Sequence, residues 1–154
     1  MTKLKEGDIA PLFTGIDQHG KTVRLEDYRG KKVVLFFYPK ASTPGCTTQA
    51  CNLRDNEAFF LNNNFQVIGV SADTETRQLN FAIKNELNFP LIADVEKDII
   101  NKFDIWGLKK FMGKEYEGIH RTTFIIDEKG IIQSIISKVK TKEHTEQIKT
   151  ASNL

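Results

Sequence analysis

Two cysteines, Cys46 and Cys51, are the residues of this chain best suited to covalent chemistry. They close the string Pro39-Lys40-Ala41-Ser42-Thr43-Pro44-Gly45-Cys46-Thr47-Thr48-Gln49-Ala50-Cys51. Just before it, KVVLFFY (32–38) is a continuous apolar run rich in β-branched and aromatic residues, the pattern of a strand buried on both faces. A Pro- and Gly-containing loop comes next, and 46–61 then carry a helical pattern, with Ala50, Leu53, Ala58 and Leu61 among the apolar positions. Cys46 therefore falls in the first turn of a helix, where orphan backbone N–H groups and the positive end of the helix dipole favour an anion. A thiol in that position is expected to be held substantially as thiolate, its nucleophilic form. Thr43, three residues upstream, can fold its hydroxyl back toward the sulfur, while Pro39 and Pro44 stiffen the loop and shield it from bulk water. The plainer alternatives are an inert buried Cys46, a small core residue at Cys51 and a simple turn residue at Thr43.

The elements that must position these groups are legible in outline. Residues 10–30 alternate loosely about Asp17-Gln18-His19-Gly20, which predicts an N-terminal hairpin. FQVIGVS (65–71) is a second buried strand. Residues 74–87 have helical periodicity, with Leu79, Ile83 and Leu87 on one stripe. Leu91-Ile92-Ala93 is a short strand, 96–103 a short helix, and 109–118 a loop or irregular turn. TTFII (122–126) and IIQSII (131–136) flank Asp127-Glu128-Lys129-Gly130 as a hairpin, and 141–150 form a last helix. The order β-α-β-α-β-α-β-β-α predicts an α/β fold, with a parallel central part and an antiparallel hairpin.

Composition narrows the function classes. The chain has 154 residues, 40% of them hydrophobic, enough for one domain (1–154) with a sizeable core. With 22 basic against 20 acidic groups, a net +2, nothing calls for nucleic acid or an anionic membrane as partner. The N-terminus carries no signal-like apolar stretch, and Val33 to Tyr38 is far too short to span a bilayer. A cytoplasmic protein is the expectation, and in that reducing setting a permanent disulfide staple is disfavoured. His19, His120 and His144 are scattered without ligand spacing, so no metal or other cofactor is expected. Gly15-Ile16-Asp17-Gln18-His19-Gly20-Lys21-Thr22 fits the phosphate-loop pattern. That motif needs a helix after it, whereas Thr22-Val23-Arg24-Leu25 alternates like a strand, and a hairpin turn explains the string better.

Pro39-xxx-Thr43-xx-Cys46 matches the active-site pattern of the peroxiredoxins. The wider string TPGCTTQAC resembles their bacterioferritin-comigratory (peroxiredoxin Q) branch. GDIAPLFTGIDQHGKTVRLEDYRGKKVVLFFYPK and WGLKKFMGKEYEGIHRTTFIID extend the resemblance over nearly the whole chain. It implies a thioredoxin-like fold with a central mixed sheet flanked by helices and an N-terminal β-hairpin extension. It also implies a peroxidase acting on hydrogen peroxide and organic hydroperoxides. Cys46 would be the peroxidatic cysteine, passing through a sulfenic acid. Pro39 and Thr43 would shape the pocket, Arg121 would supply the stabilising cation, and Cys51 would resolve the sulfenic acid as a disulfide. Thioredoxin or a similar dithiol would reduce that disulfide, and a monomer is expected because both cysteines lie in one chain. Many peroxiredoxins carry Glu where this chain has Gln49; an amide still accepts from arginine, without the charge-assisted part of the bond.

Spacing adds a mechanical constraint. On a regular helix the Cys46 and Cys51 Cα atoms stand about 8.6 Å apart and about 140° apart around the axis. A disulfide needs Cα atoms within about 7 Å, so the helix has to open locally for the bond to form. Two other functions compete at this stage. A disulfide reductase on the same fold normally uses C-x-x-C rather than C-x₄-C, and a non-catalytic binding module would carry an unreactive Cys46.

Overall fold

The computed structural model describes residues 2–154. Its centre is a five-stranded sheet in the order β5-β4-β3-β8-β9, built from β3 (Lys32–Phe37), β4 (Phe65–Ser71), β5 (Leu91–Ala93), β8 (Thr122–Ile126) and β9 (Ile132–Ile136). β3, β4 and β5 run parallel, while β8 is antiparallel to β3 and β9 to β8. The apolar run of β3 alternates between two cores, as period-two geometry requires. Val33, Leu35 and Phe37 meet Phe13, Ile99, Phe103 and Phe124 on one face. Val34, Phe36 and Tyr38 meet Cys46, Ala50, Leu53, Phe81 and Ile148 on the other. Full burial of each such side chain contributes about 1.5–3 kcal/mol, so this strand is the rigid base from which the cysteine loop leaves.

Outside that sheet, β1 (Thr14–Ile16) and β2 (Thr22–Arg24) form the expected N-terminal hairpin. The Asp17 carboxylate accepts from the His19 and Lys21 N–H groups, and Gly20 closes the turn at φ +75°. The string resembling a phosphate loop is thus a hairpin turn, with strand rather than helix after it.

Three expectations need correction. The helix foreseen over 46–61 is two: α1 (Pro44–Asp55) and α2 (Glu57–Asn62), separated by Asn56. Asn56 Nδ2 donates to the Asn52 carbonyl, the side-chain competition that makes Asn a helix interrupter. The break rephases the pattern, so Phe60 is buried while Ala58 and Leu61 face solvent.

Second, the expected stripe of Leu79, Ile83 and Leu87 is only partly buried: α3 (Glu75–Lys84) ends before Leu87, which is buried, Leu79 is half-buried, and Ile83 is 67% exposed. The buried face carries Gln78, Phe81 and Ala82. A polar anchor turns it inward: Tyr38 Oη donates to Gln78 Oε1 (2.5 Å), and Gln78 Nε2 donates to Ser71 Oγ and Ile92 O. Burial pushes the Tyr38 phenol far above its ordinary pKa, keeping it a neutral donor.

Third, after α4 (Asp98–Lys102), residues 109–118 are not a loop. β6 (Trp106–Phe111) and β7 (Lys114–Ile119) pair as an antiparallel hairpin. Met112 and Gly113 turn it with φ of +51° and +79°, the double positive φ of a tight hairpin turn. Most of its side chains are exposed on both faces, so no alternation marks it in the sequence.

The last helix, α5 (His144–Ala151), begins at a buried histidine. His144 Nδ1 donates to Gln147 Oε1 (2.9 Å), which leaves Nε2 to accept from Thr123 Oγ1 (2.8 Å). Burial, aided by the Arg121 charge and opposed by the Gln147 hydrogen bond, lowers its pKa from 6.5 to about 4. The unfolded chain therefore takes up the proton first as pH falls. The associated stability, about 3 kcal/mol in full, is present above pH 6.5 and lost as pH falls toward about 4. Denaturant midpoints of wild type and His144→Gln are expected to converge over that window; a gap independent of pH would contradict it.

Candidate active site

The antiparallel register solves the first problem of the site, bringing together residues 75 positions apart in sequence. Phe37, the last residue of β3, lies opposite Thr122, the first residue of β8. Arg121, immediately before Thr122, is therefore delivered to the end of β3 from which the cysteine loop departs. That loop is tied down at its middle. Ala41 N donates to Asp73 Oδ2 (2.7 Å), which also accepts from Ser71 Oγ (2.6 Å) at the end of β4. Pro39 sits half-buried where the loop leaves the strand.

α1 begins at Thr43, whose backbone is extended, with Pro44 as its first helical residue. The first helical hydrogen bond runs from Thr47 N to Thr43 O (2.9 Å). The Gly45 and Cys46 N–H groups lie inside the first turn, where no intrahelical acceptor is available. Cys46 is buried there at 1% exposure. The Thr43 hydroxyl does not fold back toward the sulfur as its spacing suggests; it donates to Lys40 O (2.7 Å), bracing the loop.

Arg121 covers this turn. Its Nη1 donates to Gln49 Oε1 (2.6 Å), one helical turn beyond Cys46. Its Nη2 lies 3.2 Å from the point a Cβ on Gly45 would occupy, so glycine there lets the guanidinium approach the helix backbone closely. Gln49 is fully buried, and as a neutral amide it holds the arginine without cancelling its charge. Lys109, in the segment whose sequence suggests a loop, belongs to the same neighbourhood. Its Nζ donates to Ile119 O (2.9 Å). Burial and the Arg121 charge hold its pKa below the usual lysine range, against an opposing pull from Cys46. Only the pairing of β6 with β7 brings it there, a signal that exposed strands do not advertise.

Cys51 lies on the other flank of α1, half-buried, its Sγ 3.7 Å from Asn85 Oδ1 beyond the end of α3. Both cysteines are free thiols, and the helix between them is continuous. Yet the segment is a poor helix by composition. Gly45, Cys46, Thr47, Thr48, Cys51 and Asn52 make 45–52 about 4 kcal/mol less favourable than an alanine helix of that length. Thr48 Oγ1 also donates back to Pro44 O (3.0 Å), a bond that weakens helices slightly. Its helical state therefore depends on tertiary ties, among them Asn52 to the first turn of α5 and Arg54 Nη1 to Asn85 O.

Among the described residues no group of three or more His, Cys, Asp or Glu side chains is placed to hold a metal ion. None of the helices described is long and apolar enough to cross a membrane. The chemistry available is that of a buried cysteine in a helix N-terminal turn, beneath a positioned guanidinium.

A mixed sheet flanked by helices, with such a cysteine after its central strand, is the thioredoxin-like architecture of the solved peroxiredoxins that this chain resembles. Residues 7–135 match the model of the AhpC/TSA family. The chain is 46% identical over 144 residues to peroxiredoxin Bcp of Escherichia coli K12, covering 94% of this chain and 92% of that one. Its fold superposes on the bacterioferritin comigratory protein of Xanthomonas campestris with a TM-score of 0.88 at 28% identity, over 99% and 98% of the two chains. The structure of that protein is described in connection with its alkyl peroxide reduction activity. Peroxidoxin BcpB of Mycobacterium tuberculosis is similar at TM-score 0.86 and 32% identity, over 97% of both chains. The chain belongs to the AhpC/TSA family, and its activity is that of a peroxiredoxin, an oxidoreductase that reduces hydroperoxides through a cysteine thiol.

Proposed function

We propose that Cys46 is the peroxidatic thiol of this chain, that Cys51 resolves it, and that a thioredoxin-type dithiol completes the cycle. The observation that carries the assignment is the Arg121 guanidinium, tethered by Gln49 above the turn that contains Cys46. The Cys46 thiolate attacks the terminal peroxide oxygen. The S–O bond forms, the O–O bond breaks, and the leaving oxygen departs with a proton as water or alcohol. Arg121 and the N-terminal amides of α1 stabilise charge on the thiolate and on the separating oxygens. Pro39 and Thr43 hold the loop that forms the wall of the pocket. In the bound state the Thr43 hydroxyl exchanges Lys40 O for the peroxide.

Resolution balances in the same way. Cys51 sulfur displaces hydroxide from the Cys46 sulfenic acid, the S–S bond replaces S–OH, and the thiol proton leaves with the hydroxide as water. An external dithiol then reduces the disulfide and is itself oxidised. A reducing cytoplasm suits a cycle that returns both cysteines to thiols. A monomer suffices because nucleophile and resolver share α1. Hydrogen peroxide and organic hydroperoxides are the substrates, since attack occurs at the terminal oxygen whichever group the other oxygen carries.

Turnover with hydrogen peroxide and a reduced dithiol protein tests the assignment. Cys51→Ser is expected to keep the first, fast loss of peroxide and then stall as sulfenic acid, accumulating sulfinic acid at Cys46 when peroxide is in excess. Normal steady-state turnover by Cys51→Ser would remove Cys51 from the cycle.

A further inference from the structure

Between oxidation and resolution, α1 has to open, and one side chain outside the peroxide site stands in the way. Asn52 comes directly after Cys51. Its Nδ2 donates to Lys142 O (2.9 Å), and its Oδ1 accepts from both Thr145 N (2.8 Å) and Thr145 Oγ1 (2.7 Å). Lys142 lies in the 3-10 turn Thr141–Glu143 that leads into α5, Thr145 is the second residue of α5 itself, and Thr145 is buried. We propose that Asn52 is a positioning residue for the resolution step: it latches α1 to α5, holds Cys51 away from Cys46 and so sets the lifetime of the sulfenic acid. This rests on the reading of Cys51 as the resolving thiol.

The geometry gives the latch its leverage. On the helix, Cys51 is turned about 140° from Cys46 and its Cα stands about 8.6 Å away. Bringing the Cα atoms within about 7 Å requires residues 47–51 to leave the helical path. Asn52 shares a peptide bond with Cys51, so its side chain cannot stay on Thr145 and Lys142 while Cys51 swings round. All three hydrogen bonds have to break before the sulfurs meet. The other ties are of different kinds. Gln49–Arg121 belongs to the peroxide site itself, and the Cys51–Asn85 contact, at 3.7 Å, is a weak thiol hydrogen bond. Leu53 stays anchored in the core as the hinge-side apolar contact. With so little intrinsic helix propensity in 45–52, the latch weighs heavily in the balance between closed and open helix.

Two fates then compete for one sulfenic acid. In resolution, the Cys51 thiol displaces its hydroxyl group and water leaves. In over-oxidation, the sulfenic acid attacks a second hydroperoxide, whose O–O bond breaks as the sulfur gains an oxygen to become sulfinic acid and water or alcohol departs. A tighter latch shifts the partition toward over-oxidation, and a looser one toward disulfide.

The test uses the full reduced chain, a pulse of hydrogen peroxide, acid quenching and mass analysis of thiol, sulfenic, disulfide and sulfinic forms over time. The variants are Asn52→Ala, Thr145→Val, which deletes the hydroxyl while keeping the shape, and Thr145→Ser, which keeps the hydroxyl. Loss of the Cys46 thiol is expected to stay within about twofold of wild type in all three, since none touches the peroxide site. Disulfide formation is expected to rise about tenfold in Asn52→Ala and about threefold in Thr145→Val, with Thr145→Ser near wild type. The sulfinic fraction in excess peroxide falls in the same order. A merely structural role would lower stability without moving that partition. If Asn52→Ala and Thr145→Val resolve no faster than wild type, the latch is refuted while Cys51 keeps its role. Should Asn52→Ala fail to fold, the Thr145 pair alone decides. If wild type forms no Cys46–Cys51 disulfide at all, the latch falls together with the reading beneath it.

Discussion

Replacing Cys46 with Ser is expected to lower peroxide consumption by about four orders of magnitude or more, leaving at most the background rate. Serine is nearly isosteric, and Cys46 lies in a well-packed cluster with Tyr38, Ala50 and Leu53, so the fold should survive at a cost of about 1 kcal/mol. What disappears is the nucleophile. A thiol can ionise near neutral pH, whereas a serine hydroxyl cannot without a general base. Among the described residues Cys46 packs with Tyr38, Ala50 and Leu53, Arg121 and Lys109 lie beside its turn as cations, and no hydrogen bond ties a carboxylate or imidazole base to its side chain. The measurement is peroxide loss in the presence of a reduced dithiol protein. Retention of activity within about tenfold of wild type would remove Cys46 from the reaction.

Arg121→Met is the second large effect. It is expected to reduce the rate of Cys46 oxidation about 10²- to 10³-fold, the usual cost of removing one preorganised donor to a developing charge. Methionine preserves most of the apolar contact, so the loss isolates the guanidinium. Arg121→Lys should recover only part of it. An ammonium restores charge but cannot direct one N–H to Gln49 while aiming another at the first turn of α1. Gln49→Leu, which leaves Arg121 untethered, should fall between wild type and Arg121→Met. Rapid-mixing rates over a series of peroxide concentrations check all three. A wild-type rate in Arg121→Met would show that the α1 amides suffice.

Much of this is legible in the chain, for identifiable reasons. β3 and β4 are long, β-branched and buried on both faces, so composition alone marks them. The cysteine loop carries its own punctuation in Pro39, Pro44 and Gly45. Arg121 is different. Only a resemblance links it to Cys46 in the sequence, because its position depends on the register Phe37–Thr122, and register is a property of the assembled sheet. In two of the misreadings side-chain hydrogen bonds override the apolar pattern. Asn56 divides one apparent helix through its bond to Asn52 O, and Gln78 rolls α3 so that Ile83 faces water. The β6–β7 hairpin escapes notice because its strands bury little on either face, and its turn is Met112-Gly113 rather than the more recognisable Asn-Gly. The spacing of Thr43 points its hydroxyl at the sulfur; the loop claims that hydroxyl first, through Lys40 O.

The cycle stands or falls on whether α1 opens. Amide exchange of residues 46–55, compared between the reduced chain and the chain carrying a Cys46–Cys51 disulfide, measures this directly. Reduced protein should protect these amides through the continuous helix between the two cysteines. Formation of the disulfide should abolish that protection at 47–52 while β3 and β4 remain protected. Nearly identical protection in both forms would mean that the bond forms without unwinding, and would contradict a peroxidase whose helix must open and reclose with every turnover.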